Sequence, residues 1–245
     1  MNLEKIIAIR NAKTIYCDEN NCVKVFNKEY SKADILNEAL NQARVEELPI
    51  NVPKIKEVTM IDGKWAIITE YIKGYTLLQL MEKYPEKKDQ YLEQFVDIQL
   101  ATQKNTCPLL TKLKDKMNRK INMADIASTT KYDLHTRLES MPKGNSLCHG
   151  DFNPSNIIIS EDNKPYIIDW SHATKVIHVL MPQELTYYSG YQVTLQVRKS
   201  ILIYMLKKEM LLKKTFKNGC QSLLLLNQLR VTKKKESSYF LGLML

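Results

Sequence analysis

The sequence is poor in the features that define fibrous, disordered and membrane proteins. Of its 245 residues, 7 are glycine and 8 are proline, and so few of either exclude a collagen-like or low-complexity chain. The apolar run Leu223–Leu226 is far shorter than the roughly 18–20 residues that span a bilayer. The apolar stretch Ile6–Ile9 ends at Arg10 and is too short for a signal peptide. We therefore expect a cytoplasmic protein without a membrane segment.

Cysteine is also scarce, and its placement argues against a disulfide scaffold. The chain has an odd number of cysteines, and they are scattered: Cys17, Cys22, Cys107, Cys148 and Cys220. This usage suits a reducing compartment. Cys17 and Cys22 have the spacing of half a zinc site, but no second pair and no histidine cluster follows. We expect them to be two cysteines of a hairpin.

Positive charge is concentrated at the C-terminus. The formal net charge of +9 would by itself suggest nucleic-acid binding. Residues 176–245, however, contain eleven Lys or Arg against three Glu. They carry +8 of the charge and leave +1 on residues 1–175. Because the body of the protein is nearly neutral, we expect no nucleic-acid partner.

Apolar alternation and turn residues predict a small sheet at the N-terminus. Turn formers, Asp18 to Asn21, separate the second strand from the third, and Asp62-Gly63 separates the last two. The five expected strands are Lys5–Ile9, Thr14–Cys17, Cys22–Phe26, Val58–Ile61 and Trp65–Glu70.

One helix is expected between the third and fourth strands. Ser31 is predicted to cap it, and it should end near Glu47, before Pro49 and Pro53. Its apolar residues recur at helical spacing, and they define the expected core face: Ile35, Leu36, Ala39, Leu40 and Ala43. Five strands and one helix make a small α+β lobe.

The pattern becomes mainly helical after a short connector, Tyr71–Gly74. A helix is expected to begin near Thr76. Longer helices are predicted from about Pro85 to Lys104 and from roughly Met123 to Ser140. Two short strands should follow the last helix, at Asn156–Ile159 and Tyr166–Ile168.

The loop before these strands contains the residues that point to a chemistry. It reads HGDFNPSN from His149 to Asn156, and Ile167-Ile168-Asp169-Trp170 follows. Phosphoryl transfer needs a carboxylate that orients the attacking hydroxyl and takes its proton, and oxygen ligands for Mg²⁺. Asp151 and Asn156 have the spacing of the base and the metal ligand in kinase catalytic loops. Asp169 ends the next hairpin, where it can meet the same metal. The alternative is that Asp151 caps the loop and Asn156 is a polar residue at a strand edge. In that case the spacing of Asp151, Asn156 and Asp169 would have to arise by chance.

These motifs resemble the aminoglycoside phosphotransferase family, which has a choline-kinase-like and protein-kinase-like fold. The resemblance runs from about Thr14 to Thr174. Gly150 lies where protein kinases usually carry arginine, and Trp170-Ser171 lies where they carry Phe-Gly, so a small-molecule kinase is favoured over a protein kinase. The resemblance implies a two-lobed α+β fold, with a nucleotide-binding lobe at residues 1–72 and a catalytic lobe at residues 73–175. It also implies transfer of the γ-phosphate of ATP or GTP, with Mg²⁺, to a hydroxyl of a small molecule.

The N-terminal lobe contains further residues that fit this resemblance. Lys24 alternates with buried residues on the third strand, as the phosphate-binding lysine of this fold does. Its expected partner is Glu38, which is favoured over Glu46 because Glu38 lies nearer the middle of the helix. Glu70 and Ile72 fall at the hinge, where their backbone groups are expected to meet the adenine. The alternative is an exposed strand lysine and a solvated helix glutamate. The first hairpin lacks the glycine-rich loop and has Arg10 to Thr14 in its place.

The last 70 residues do not continue the family pattern. From Lys175 the chain becomes rich in Leu and Lys and contains no Asp. The possible codons can also be read in a shifted frame, in which the third base of each codon joins the first two bases of the next. This shifted frame permits coherent amphipathic stretches over Lys175–Gln196 and Glu209–Leu225. In the shifted frame, every choice of codons for Met181-Pro182 encodes an alanine, and every choice for Tyr187-Tyr188 encodes a leucine. We interpret residues 176–245 as a frameshifted tail, which leaves the C-terminal lobe incomplete.

Two functions follow from these expectations. The first is an ATP-dependent small-molecule kinase, in which His149 holds the catalytic loop rather than carrying a proton. The second is an inactive or weakly active nucleotide-binding remnant, because the catalytic lobe is incomplete. Neither the acceptor nor the oligomeric state follows from the sequence.

Overall fold

The computed structural model describes residue 3 and residues 5–10, 12–140 and 144–176. Within these ranges no helix is both long enough and apolar enough to cross a bilayer. The tail predicted from residue 176 onward lies outside the described residues, except for Val176.

The N-terminal lobe is built on one antiparallel sheet, with strand order β1-β2-β3-β5-β4. All five predicted strands are present, each within three residues of its expected bounds. They are β1 (Lys5–Arg10), β2 (Lys13–Asp18), β3 (Asn21–Phe26), β4 (Ile55–Ile61) and β5 (Lys64–Glu70). The β4–β5 turn has positive φ at Asp62 and Gly63, as a two-residue type I′ hairpin requires.

The two N-terminal cysteines face each other across a hairpin, as expected. Cys17 of β2 is the register partner of Cys22 of β3. Neither forms a disulfide, and among the described residues the same holds for Cys107 and Cys148.

Helix α1 (Lys32–Glu46) packs against the sheet with only part of its predicted apolar stripe, since Ile35 and Ala39 are buried. Ser31 precedes its first residue, but the Ser31 side chain makes no capping hydrogen bond. Leu36 and Leu40 are exposed, and so is Ala43; the prediction that they form the core face was wrong. The buried residues are Ile35, Glu38, Ala39, Asn41, Gln42 and Val45. The helix is therefore turned so that a glutamate points inward, which the apolar periodicity alone does not indicate.

The described part of the second lobe is mainly helical, as predicted, and it contains one more helix than expected. Its helices are α2 (Leu77–Lys83), α3 (Lys88–Gln103), α4 (Leu113–Met123) and α5 (Ser128–Ser140). Helix α4 was not predicted, and Met123 ends it instead of beginning α5. A capping box between Thr76 and Gln79 starts α2.

Short strands frame the loops that carry the predicted site. β6 (Gly74–Thr76), β8 (Ile157–Ser160) and β9 (Pro165–Ile167) form one sheet, and β7 (Ser146–Cys148) pairs with β10 (Thr174–Val176). Strands β8 and β9 match the predicted pair, whereas β6, β7 and β10 were missed. β10 continues one residue beyond the predicted lobe boundary, to Val176.

The largest apolar core lies directly beneath these loops. Phe152 and Trp170 belong to it, together with Phe95 and Val96 of α3 and Ile157 of β8. Trp170 is completely buried, and its indole N–H donates to the carbonyl of Ile167 at 3.1 Å. The loops that flank Asp151 and Asp169 are thus fixed by packing from below.

Candidate functional site

The loop between β7 and β8 holds the carboxylate of Asp151 in a fixed orientation. The side-chain amide of Asn153 donates to its Oδ1 at 3.2 Å, and that of Asn156 donates to its Oδ2 at 3.1 Å. Both amides also donate to the Asp151 carbonyl, at 3.1 Å and 2.9 Å. Each carboxylate oxygen keeps a lone pair that these two bonds do not use. Asn153 was not singled out in the sequence.

His149 lies below this loop and holds it in place. Its Nε2 is 2.9 Å from the carbonyl of Ile168, and the N–H of Asp151 donates to its Nδ1 at 3.2 Å. Because a carbonyl can only accept, the ring carries its proton on Nε2. Its ring packs against Trp170, with ring centroids 4.6 Å apart. Both nitrogens are occupied by backbone, so His149 is placed as a structural residue, not as a proton carrier.

Gly150 is a glycine for a steric reason. Its φ is +85°, and a Cβ built on it would lie 2.5 Å from the carbonyl oxygen of His172. Any side chain there would push apart the loop of Asp151 and the segment after Asp169. Their close approach depends on the missing Cβ.

Asp169 is brought to Asp151 by the β8–β9 hairpin. The Ile168 N–H donates to the Asn156 carbonyl at 2.9 Å, which joins the two segments next to both side chains. Asp169 itself adopts the left-handed conformation, with φ 65° and ψ 63°. Such backbone is uncommon for residues other than glycine, although aspartate is among the residues that adopt it more readily, and it turns the carboxylate toward the N-terminal lobe.

Lys24 and Glu38 meet in the N-terminal lobe. The ammonium of Lys24 donates to Oε1 of Glu38, and Lys24 Nζ lies 3.8 Å from Oδ1 of Asp169. Glu38 is 2% exposed. Glu46, the other candidate, instead accepts a hydrogen bond from the Ile55 N–H at 2.8 Å. The pairing therefore involves the glutamate that the sequence favoured.

A second lysine, Lys13, reaches the same carboxylates and was missed by sequence reasoning. Its Nζ is 3.1 Å from Oδ2 of Asp169 and 3.6 Å from Oε1 of Glu38. The strand register of the structure shows why it lies there. Ile15 is the register partner of Lys24, and residues two apart on a strand share a face, so Lys13 points to the same side as Lys24.

The charges at this site reinforce one another. Burial disfavours the ionised form of Asp169, but the positive charges of Lys24 and Lys13 outweigh it and hold its pKa well below the usual range. Burial likewise disfavours the ammonium of Lys24, yet Asp169 and Glu38 together raise its pKa. For Asp151, burial dominates and raises the pKa, with a further contribution from the charge of Asp169. A raised pKa makes the Asp151 carboxylate a better proton acceptor.

The donor set fits a magnesium ion. Among the described residues, no group of three or more His, Cys, Asp or Glu side chains could hold a metal by itself. Magnesium needs no such group, since it usually takes one or two carboxylates and fills its shell with water and phosphate oxygens. Asp169 offers a carboxylate. The side-chain nitrogen of Asn156 is hydrogen-bonded to Asp151, which leaves the amide oxygen available as a donor to a metal ion.

The hinge segment leaves backbone groups for a base. The Glu70 N–H donates to the Lys54 carbonyl at 2.9 Å, and the Tyr71 N–H donates to the Asn20 carbonyl at 3.0 Å. The Lys54 N–H donates to the Glu70 carboxylate instead of the Glu70 carbonyl. Within the described ranges, Ile72 has no backbone hydrogen-bond partner. The Glu70 carbonyl accepts a hydrogen bond from the Thr69 hydroxyl at 3.3 Å and keeps a second lone pair. That lone pair and the Ile72 N–H are available to a base edge with one donor and one acceptor, such as that of adenine.

Comparison with known proteins yields one family and one fold. A family model described as "Phosphotransferase enzyme family" matches residues 15–175. No curated protein sequence matches significantly.

Several solved structures share the fold. A thermostable mutant of aminoglycoside phosphotransferase APH(4)-Ia, in a ternary complex with ADP and hygromycin B, is 13% identical. The match covers 83% of this chain and 77% of that one, with a TM-score of 0.57. Aminoglycoside-3'-phosphotransferase of type VIII is 11% identical, with 98% and 91% coverage and a TM-score of 0.58. Choline kinase LicA from Streptococcus pneumoniae is 16% identical, with 84% and 75% coverage and a TM-score of 0.53. At these identities the likeness establishes a kinase-like α+β fold.

Proposed function

This chain belongs to the phosphotransferase enzyme family, and from that premise we propose that it transfers the γ-phosphate of ATP to a hydroxyl group of a small molecule. The observation that carries the proposal is the convergence of Asp151, Asn156 and Asp169 with the Lys24–Glu38 pair. These are the parts that phosphoryl transfer requires, since its catalysis consists mainly of positioning and charge stabilisation.

Asp151 orients the acceptor hydroxyl and takes its proton. The Asn153 and Asn156 amides fix its two oxygens, so the carboxylate presents a defined lone pair to the incoming hydroxyl. Its raised pKa favours proton uptake as the oxygen–phosphorus bond forms. His149 contributes by holding the loop from below.

Lys24 binds the nucleotide phosphates, and Glu38 positions Lys24. The carboxylate of Glu38 is buried, so the pair is shielded from solvent and its geometry is well defined. Asp169 and Asn156 would hold the magnesium ion, which supplies positive charge to the phosphates when it is bound. The Glu70 carbonyl and the Ile72 N–H would accept from and donate to the adenine.

The relatives support a nucleotide donor and a small hydroxylated acceptor. One solved neighbour contains ADP with hygromycin B, and another contains AMP-PNP with hygromycin B. Choline kinase shares the fold as well, so the acceptor class ranges from amino sugars to amino alcohols. GTP is a second donor to test beside ATP. A cytoplasmic location would supply the nucleotide and keep the free thiols reduced.

Replacing Asp151 with asparagine tests this function directly. Since water can serve as the acceptor, magnesium-dependent ATP hydrolysis by the purified chain is the assay. We expect Asp151→Asn to lower turnover by about 10²-fold or more while ATP affinity changes less than twofold. Asp162→Asn is the matched control, because Asp162 lies in the β8–β9 turn and pairs with Lys164.

The same experiment separates the enzyme from a nucleotide-binding remnant. Equal turnover in the wild-type chain and in Asp151→Asn, with ATP bound by both, would favour the remnant. Loss of ATP binding in Asp151→Asn would show that this residue supports the fold of the site and is not the base.

A further inference from the structure

Lys13 has a position that the roles assigned above do not explain. It is the first residue of β2, directly after the hairpin that lacks glycine. Its side chain is 16% exposed. Its ammonium crosses from the N-terminal lobe to Asp169 of the second lobe, at 3.1 Å and 3.4 Å from the two carboxylate oxygens. Lys24 already pairs with Glu38, so Lys13 is a second cation on one cluster of carboxylates.

The partner of Lys13 identifies what displaces it. Asp169 is the carboxylate that would hold the divalent cation, and one carboxylate oxygen cannot serve an ammonium and a metal ion at close range equally well. With a cation on Asp169, Lys13 loses its nearest anion. Glu38 Oε1 remains 3.6 Å from Lys13 Nζ, but Lys24 already pairs with that oxygen. In the proposed nucleotide site, the triphosphate would be the new anion within reach of Lys13. A flexible four-carbon stem lets the ammonium make that move.

The hairpin sequence shows why a side chain is needed there. Glycine-rich loops cradle phosphates with backbone N–H groups that approach closely because no Cβ intervenes. Residues 10–14 read Arg-Asn-Ala-Lys-Thr, with no glycine. Because the side chains of this hairpin keep its backbone away from a phosphate, a lysine at the start of β2 supplies the positive charge instead.

We propose that Lys13 is an exchangeable phosphate-binding residue: it occupies Asp169 in the nucleotide-free protein and binds the triphosphate once Asp169 takes the cation. The inference rests on the proposed nucleotide site. It assigns Lys13 two partners in turn, and it therefore predicts effects of opposite sign on two ligands.

The test measures both ligands with Lys13→Met, which keeps the apolar stem and removes the charge. We expect affinity for MgATP to fall about tenfold, the loss typical of one charge-assisted hydrogen bond. Affinity for Mn²⁺ alone, measured by electron paramagnetic resonance without nucleotide, should rise several-fold because a competing cation is gone. Adenosine has no phosphates, and its affinity should stay within twofold, which also reports that the lobe is folded.

Two further variants sharpen the result. Lys13→Arg keeps the charge and should retain most of the MgATP affinity. Lys64→Ala removes an exposed lysine of β5 in the same sheet and should change nothing. A structural role for Lys13 would instead move all three affinities in the same direction.

The outcomes distinguish this inference from the proposed function. If the wild-type chain binds MgATP and Lys13→Met binds it equally well, the inference on Lys13 is overturned while the function stands. Weaker Mn²⁺ binding in Lys13→Met would also overturn it. If the wild-type chain binds no nucleotide, both fail. If Asp151→Asn retains full turnover but Lys13→Met shows the opposite shifts, the function fails and the inference stands.

Discussion

His149 is a neutral histidine buried beneath the loop of Asp151, and this burial determines how it responds to acid. Burial lowers its pKa from 6.5 to about 4. In the unfolded chain the ring takes a proton near pH 6.5, whereas in the folded chain it resists protonation until about pH 4. The stability that the neutral ring provides is therefore complete above pH 6.5 and is lost as the pH falls toward 4.

We expect the wild-type chain to lose about 2 kcal/mol of unfolding free energy between pH 7 and pH 5 through this one group. Urea unfolding at the two pH values measures it. His149→Gln has no titrating ring and should lack this part of the pH dependence, even if it is less stable at both pH values. Equal pH dependence in the two chains would contradict the assignment of His149 as a buried neutral ring.

For individual residues, the sequence indicated the residues of the candidate site and one of their pairings, but it did not indicate Lys13. Asp151, Asn156 and Asp169 were predicted from their spacing, and the structure brings them together. Lys24 and Glu38 were predicted as a pair, and they are in contact. Their roles in binding and catalysis stay predictions. Lys13 was missed because a lysine in a hairpin has no signature until strand register shows which face it occupies.

Helix α3 contains a polar residue that its surroundings do not satisfy. Gln99 is 1% exposed, and neither atom of its amide has a hydrogen-bond partner among the described residues. A buried amide without partners costs stability, because it has lost its bonds to water.

Gln99→Met keeps the length of the side chain and removes both polar atoms. We expect it to stabilise the chain by about 1 kcal/mol, which corresponds to a rise in Tm of roughly 2–4 °C for a chain of this size. Thermal unfolding measures it. Gln90→Met is the matched control, since Gln90 is exposed on the same helix and its replacement should leave the Tm unchanged. An equal or lower Tm in Gln99→Met would mean that the amide has a partner, such as a buried water.

Helix α1 shows the limit of periodicity as a guide to orientation. Its apolar residues form a stripe at positions 35, 36, 39, 40 and 43, and the prediction buried that stripe. The structure buries Glu38 and Gln42 instead of Leu36 and Leu40. The Glu38–Lys24 ion pair and the bond from Gln42 to the Pro53 carbonyl at 2.6 Å fix the rotation of the helix. Polar contacts between distant segments decided it, and apolar spacing does not encode them.

For the whole molecule, the prediction that matters most concerns the reading frame. The family match ends at residue 175, where the composition changes, and β10 closes against β7 at Val176. Residues 177–245 lie outside the described part of the chain. We expect the nucleotide sequence after the codon for Lys175 to stay open in the alternative register. A stop codon or an incoherent translation there would contradict the frameshift.

The frameshift can also be tested by comparing two purified proteins. A chain with its frame restored after Lys175 should show several-fold higher soluble yield than the present one, since exposed apolar surface promotes aggregation. Phosphate transfer should rise with it. If the present chain is soluble, unfolds cooperatively and is fully active, the tail is a native part of the protein.

The sequence by itself determined the α+β fold class, the strands of the N-terminal sheet and the loop that holds Asp151 and Asn156. These depend on local signals: alternation, turn formers and the fixed spacing from Asp151 to Asn156. Only the tertiary structure showed which face of α1 is buried and that Lys13 shares Asp169 with Lys24. It also gave the reason for a glycine at position 150, which is the close approach of the His172 backbone. Each of these depends on contacts between segments far apart in the chain, where packing and charge act together and leave no pattern in any one stretch of sequence.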